Sequence, residues 1–297
     1  MANNKELEKL RGEIDRIDKG IQDLLIERFE VTGQVGALKG DNAVYFRPGR
    51  EAAMLKNLVS RHKGRMPANV LVRIWREILG CSTRLQGHFA VSALGKDSNQ
   101  TCLDLAEDHF GRQTVSSRGQ TVKTVLRSVS TGETAVGVLP FPGSDEKADE
   151  DWWTLVLPRP KDKSHDQANE DIHIVGRLPF CRTAKTPSAR QDAVMVATTP
   201  VEETGDDQTL LVLETFESLS RSSLRSLMGN SGLETAVIIG ECCRDGRCLY
   251  LFEVDGFVCY DDDRLKKLVE QNSDRVVRIV SIGSYPRPII MTSEPLA

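Results

Sequence analysis

At 297 residues with 39% apolar side chains, the chain is long enough for two or three domains, each with its own core. No stretch approaches the ~18–20 uninterrupted apolar residues of a membrane span, and the opening Met1-Ala-Asn-Asn-Lys-Glu-Leu-Glu lacks the apolar core of a signal peptide, so a soluble cytoplasmic protein is expected. The net charge of −4 is unevenly spread: residues 1–89 hold 16 Lys and Arg against 11 Asp and Glu, net +5, leaving −9 for the rest.

That positive region is the expected anion handler. A nucleic-acid surface would need a dense basic face with stacking aromatics, and residues 1–89 offer only Phe29, Tyr45, Phe46, Trp75 and Phe89. The seven cysteines, Cys81, Cys102, Cys181, Cys242, Cys243, Cys248 and Cys259, lack the paired spacing of a disulfide framework or zinc site and are read as reduced thiols. Cys242-Cys243 with Cys248 is the set that could ligate a metal, although adjacent cysteines beside the turn-like Arg244-Asp-Gly read better as strand-end residues. His62, His88, His109, His165 and His173 fall into no metal or triad pattern; neither metal nor cofactor is expected.

From Leu7 to Leu38, apolar residues recur at Leu7, Leu10, Ile14, Ile17, Ile21, Leu24, Val31, Val35 and Leu38 with no proline, which predicts one long helix. At 1.5 Å per residue it would span about 50 Å, more than a small domain needs, so it is expected to lie against a second copy of itself in a homodimer. Pro48 suits the start of a second helix, about Arg50–His62, and a third follows from Ala68 to Leu85.

After Gln86 the period changes to strands alternating with short helices: Phe89–Leu94 (strand), Thr101–Phe110 (helix), Thr134–Leu139 (strand), then Ile172–Val175 and Ala193–Ala197 as further strands. Residues 142–171 read as a charged surface loop holding one strand, Trp152–Leu157. From Asp207 the order is strand Thr209–Glu214, helix Ser218–Met228, strands Thr235–Ile239 and Cys248–Val254, helix Asp262–Asn272 and strand Val276–Ile282. This βαββαβ order predicts a ferredoxin-like antiparallel sheet.

Within the first helix, Arg28 and Lys39 lie 11 residues apart, about three turns, and share a face; Arg11, 17 residues before Arg28, is rotated by roughly 100° and faces another site. Several cations with Glu51, Ser82 and the neutral amide of Gln86 suit a small dianion that is gripped, folded and rearranged rather than attacked by a nucleophile.

Residues 5–88 resemble the all-helical class of chorismate mutases through Leu10-Arg11-x-x-Ile14-Asp15-x-Ile17-Asp18, Leu24-Leu25-x-Glu27-Arg28, Val35-Gly36-x-x-Lys39, Arg47-Pro48-x-Arg50-Glu51 and Ser82-x-x-x-Gln86. The resemblance implies the Claisen rearrangement of chorismate to prephenate, an isomerase reaction of aromatic amino-acid biosynthesis with no cofactor. It implies that Arg11 reaches into the partner's pocket, that Arg28 and Arg50 serve the substrate carboxylates, and that Ser82 caps one of them. Lys39 and Gln86 would donate to the ether oxygen, and Glu51 would accept from the ring hydroxyl. Arg47 stands where some relatives have Asp and is read as a loop cation that draws in substrate.

Ala93-Leu-Gly95 and Gly137-Val-Leu-Pro-Phe-Pro-Gly-Ser144 resemble the prephenate dehydratase lobe, but Gly143 replaces that family's Asn and its Thr-Arg-Phe triplet has no counterpart around Asp192-Ala-Val-Met195. A degenerate lobe is therefore expected, with Ser98, Thr101 and Ser144 as remnants of a pocket. Tyr250-Leu-Phe-Glu-Val-Asp255 and Val280-Ser-Ile-Gly-Ser-Tyr-Pro286 resemble the regulatory ACT domain, which implies an aromatic amino-acid effector, whereas a plain dimerisation module is the simpler reading. The expected organisation is an all-helical dimeric mutase domain (1–89), a reduced α/β lobe (90–206) and an α+β ferredoxin-like domain (207–297). Two alternatives stand beside it: a bifunctional mutase/dehydratase, or a non-catalytic partner of a shikimate-pathway enzyme.

Overall fold

The structure, a computed structural model, describes residues 2–39, 45–95, 101–143, 151–158, 172–183, 192–244 and 246–291, apart from the side chains of 2, 3, 39, 115 and 116. Three helices open the chain: α1 Ala2–Lys39, α2 Pro48–Arg61 and α3 Ala68–Gln86. Proline begins α2, where its missing N–H costs nothing and its fixed φ suits the first turn. In α3 the stripe Val72, Arg76, Leu79 and Thr83, spaced by threes and fours, is buried. Residues 4–24 of α1 are exposed throughout, and partial burial begins at Leu25. Gly36 allows the close approach there, because a Cβ at that position would sit 3.0 Å from Gln86 Cα. No helix among the described residues is long and apolar enough to cross a membrane.

The remainder runs β1 Val91–Leu94, α4 Thr101–Phe110, β2 Val115–Gly119, α5 Val122–Ser130, β3 Val136–Pro140, β4 His173–Leu178, β5 Cys181–Thr183, β6 Ala193–Ala197, β7 Asp207–Thr215, α6 Arg221–Asn230, β8 Val237–Arg244, β9 Arg247–Asp255, α7 Asp263–Gln271, β10 Val276–Pro286 and β11 Ile289–Met291. Nine strands form one sheet in the order β2-β1-β3-β6-β4-β10-β7-β9-β8. The β1-centred pairs are parallel, as βαβ crossovers require, and β10-β7-β9-β8 is antiparallel, as the βαββαβ order demands. The helix α5 carries Val122, Val125, Leu126 and Val129 at clean helical spacing; it and β2 are absent from the strand-and-helix alternation read above.

The two halves of the sheet share no break at residue 206. They join where Gly283 of β10 pairs with Ile174 of β4. Gly283 has φ of +148°, and a Cβ there would lie 2.1 Å from the Ile174 carbonyl oxygen, so only glycine permits the seam. Beside it, Arg177 donates to Asp192 (2.7 Å) and Glu253 (2.8 Å), Arg182 donates to Asp192 (2.6 Å), and the Tyr285 hydroxyl bonds Glu253. Asp192 is 3% exposed, and removing it leaves the largely buried Arg182 without its carboxylate and Arg177 with Glu253 alone. Asp192→Ala is expected to cost roughly 3–5 kcal/mol, read as a lowered midpoint in urea unfolding.

Two local expectations are corrected. Trp152–Val156 is a turn of 3-10 helix rather than a strand. Trp152, Trp153 and Val156 are all buried, and the Trp152 indole donates to the Pro140 carbonyl at 3.1 Å. The cysteines are not all reduced: the β8–β9 hairpin sets Cys243 opposite Cys248 with Cα atoms 4.1 Å apart, and they form a disulfide. Cys81, Cys102, Cys181, Cys242 and Cys259 are free thiols.

The helices are tied to the sheet at several points. Ala52, Leu55, Val72 and Leu79 share one core with Phe180, while Phe46, Phe89 and Phe110 pack with ring centroids 5.6–5.8 Å apart. Leu55 is fully buried, worth about 1.5–3 kcal/mol on the scale of apolar transfer. The short parallel pair β5–β11 backs this junction.

Candidate active site

The C-terminal half of α1, the start of α2 and the end of α3 enclose a cleft of about 630 Å3. Leu24, Arg28, Val31 and Val35 reach it from α1 at spacings of three and four, and Leu79, Ser82, Thr83 and Gln86 do so from α3 on the same pattern. Tyr45, Arg47, Arg50, Glu51 and Met54 close the third side. The lining therefore mixes aliphatic with charged and amide side chains, the usual make-up of a site for a small organic ion.

Of the residues expected to act, the cleft brings together Arg28, Arg47, Arg50, Glu51, Ser82 and Gln86. Arg11 is not among them. It lies exposed on the outer part of α1, 17 residues before Arg28, and pairs with Glu8 at 2.8 Å. Lys39 closes α1, and its side chain lies outside the described part of the structure, as do Ser98 and Ser144. Thr101 heads α4, outside the cleft lining.

Arg28 is held from α3: its guanidinium donates to Ser82 Oγ, and the Ser82 hydroxyl donates to the Ile78 carbonyl at 2.7 Å. The serine thus aims the arginine. Partial burial draws the Arg28 pKa below the usual arginine value, with Cys81 opposing. Gln86 spends one amide proton on the Ser82 carbonyl at 3.2 Å, which fixes the group and leaves its second N–H as a donor. Glu51 accepts from Arg76 through Oε2 at 3.0 Å, leaving Oε1 as an acceptor. Burial pushes the Glu51 carboxyl up, with Arg76 as the counterweight. Arg47 pairs with Glu202 at 2.7 Å, but both are nearly half exposed, so the pair is worth about 0–1 kcal/mol and cannot hold Arg47 away from an anion.

Arg76 is the site residue that the sequence reading passed over. Its signal was present in the spacing 72, 76, 79, 83, which puts it on the inward stripe of α3, where an unpaired charge is not tolerated.

Residues 10–87 match the family model of chorismate mutase type II. A bifunctional chorismate mutase/prephenate dehydratase from Pseudomonas aeruginosa is 31% identical over 154 residues, which is 50% of this chain and 42% of that protein. One from Aquifex aeolicus is 31% identical over 147 residues, 48% of this chain and 40% of that protein. The chain spans about two fifths of the length of these relatives. A solved prephenate dehydratase in complex with L-Phe from Arthrobacter aurescens superposes with a TM-score of 0.45 at 12% identity, covering 67% of this chain and 90% of that one. The helical N-terminal unit thus matches the chorismate mutase type II model, on a chain similar over about half its length to bifunctional chorismate mutase/prephenate dehydratases.

Proposed function

We propose that the chain is a cytoplasmic, homodimeric chorismate mutase that rearranges chorismate to prephenate and has lost dehydratase activity. The observation that carries this reading is the convergence of Arg28, Arg50, Glu51, Ser82 and Gln86 on one cleft. Arg28, aimed by Ser82, grips a substrate carboxylate with its planar fork, and Arg50 serves the second. Oε1 of Glu51 accepts the ring hydroxyl. The Gln86 amide and Lys39 donate to the ether oxygen, where negative charge grows as the C–O bond breaks, so their bonds strengthen in the transition state.

The exposed stripe of α1 supports a second copy as the partner. Leu7, Leu10, Ile14, Ile17, Ile21 and Leu24 are each 44–66% exposed, a continuous apolar seam that a lone chain would leave in water. Arg11 shares this outer part of the helix and would enter the partner's cleft. Residues 207–297 act as the ACT-type regulatory domain of this proposal, with residues 90–206 as the degenerate lobe. Heat on titrating the protein with phenylalanine, tyrosine or tryptophan would support an effector role, and its absence a purely structural one.

The test follows loss of chorismate absorbance with the wild type and Gln86→Ala. Wild-type turnover lowered on the order of a hundredfold by the substitution is expected, with phenylpyruvate appearing only after acid. Because Gln86 carries no charge, the wild-type rate should change little between about pH 6 and 8, and a steep acid-only optimum would contradict the assignment. The relatives are bifunctional by name, so phenylpyruvate formed before acid treatment would establish the bifunctional alternative.

A further inference from the structure

Arg76 is 6% exposed and bridges two parts of the molecule. On one side it donates to Glu51 in the cleft at 3.0 Å. On the other its guanidinium lies over the ring of Phe180, 5.2 Å from the centroid. Phe180 comes from the turn between β4 and β5, is itself 6% exposed, and belongs to the same core as Ala52, Leu55, Val72 and Leu79 of α2 and α3. On the Phe180 side, Arg76, His109 and Phe180 line a cavity of about 10 Å3, room for about one water.

We propose that Arg76 is the positioning residue for Glu51 and that Phe180 clamps Arg76 from the α/β unit, so that rearrangement in the cleft depends on the sheet being docked against the helices. The inference rests on the chorismate mutase reading for its catalytic half; the pairing itself is independent of it. Its physical content is a carboxylate that is aimed by a buried cation, and whose charged form that cation favours against the effect of burial, with the cation's own geometry set from outside the helical unit. A mutase built as an isolated helical domain needs no such clamp.

The groups around the pair determine what pH would report. Glu51 shares its cleft with Arg28 and Glu27 of α1 and with Arg47 and Arg50 at the start of α2. Arg76 faces His109 of α4 and Cys181 of β5. Burial lowers Arg76 to about 10, still charged at neutral pH; burial, with Arg76 adding to it, holds His109 well below its usual value and neutral; burial lifts Cys181 to about 11 as a neutral thiol. Loss of Arg76 therefore leaves Glu51 as the group brought toward the neutral range, since its burial persists and its counterweight is gone.

The experiment uses the full chain with Arg76→Gln, Arg76→Lys and Phe180→Leu, measuring kcat and KM for chorismate against pH, and titrating the Glu51 carboxyl by 13C NMR after assignment with Glu51→Gln. Arg76→Gln should lower kcat on the order of tenfold to a hundredfold with KM changed less than about threefold, and its rate should rise with pH through neutrality where the wild type is flat. Arg76→Lys should recover part of kcat, and Phe180→Leu should give the same kcat-selective loss in smaller measure. The Glu51 titration midpoint should move upward in Arg76→Gln. Wild-type kcat and pH profile in Arg76→Gln, or a loss confined to KM, overturns the proposal. If Arg76→Gln does not fold, an unchanged kcat and profile in Phe180→Leu overturns it. If the wild type itself leaves chorismate intact, the mutase reading fails, and an unmoved Glu51 midpoint in the variants then overturns the pairing separately.

Discussion

Arg28→Ala should lower kcat/KM for chorismate on the order of a hundred- to ten-thousandfold. Two charge-assisted bonds to a carboxylate are lost, each worth about 1.5–3 kcal/mol, and every 1.4 kcal/mol is tenfold. The arginine is oriented by Ser82, which would remain with no guanidinium to aim. Arg28→Lys should recover little, since an ammonium presents a point charge where the substrate carboxylate wants a fork. Ser82→Ala should fall between, loosening Arg28 without removing its charge. Steady-state kinetics beside a thermal melt checks this: a loss below tenfold for folded Arg28→Ala would mean that the carboxylate is gripped elsewhere. The folding control matters little for Arg28 itself, which is only partly buried and is not part of the three hydrophobic cores.

Mixing two dead variants should restore activity. If each cleft takes Arg28 from one chain and Arg11 from its partner, then Arg11→Ala and Arg28→Ala are each nearly inactive as homodimers. In a mixed dimer, one cleft holds both arginines and the other holds neither. With an isologous twofold arrangement and random reassortment, half the dimers are mixed and half their sites work, so the mixture should reach about a quarter of wild-type activity. Co-expression with two tags, purification through both and measurement of chorismate loss would give about half in the isolated mixed dimer. No recovery would sink the shared-cleft arrangement while leaving the mutase assignment to its own test. The structure motivates the experiment directly: in a single chain Arg11 is exposed, pairs only locally with Glu8, and lies on the outer segment of α1 whose apolar side chains face water.

The helices and most strands were legible in the order of the side chains, because a helix or an exposed strand edge writes its period into sequence. The stripe from Leu7 to Leu38 sufficed for α1, and the spacing from Arg28 to Lys39 separated one face from the face of Arg11. The failures have physical causes. Trp152 and Trp153 look like strand residues by type, but they lie in a 3-10 turn, and Trp152 is held by a bond to the Pro140 carbonyl twelve residues earlier, a contact that local spacing does not record. Cys243 and Cys248 are separated by the hairpin turn, and their opposition depends on the register of β8 on β9.

The sequence by itself determined the three-helix unit, the change of period after Gln86, the βαββαβ order of the last segment, and the set of charged and amide residues suited to a small dianion, since each is a matter of local spacing and side-chain chemistry. Only the tertiary structure decided that Ser82 aims Arg28, that Arg76 holds Glu51 under the ring of Phe180, and that one sheet runs unbroken across residue 206 through Gly283. Those contacts join residues 25 to 109 positions apart, and such pairings are chosen by the burial of the whole chain, where an unpartnered buried charge or a Cβ pressed into a backbone carbonyl costs more than any local preference can offset.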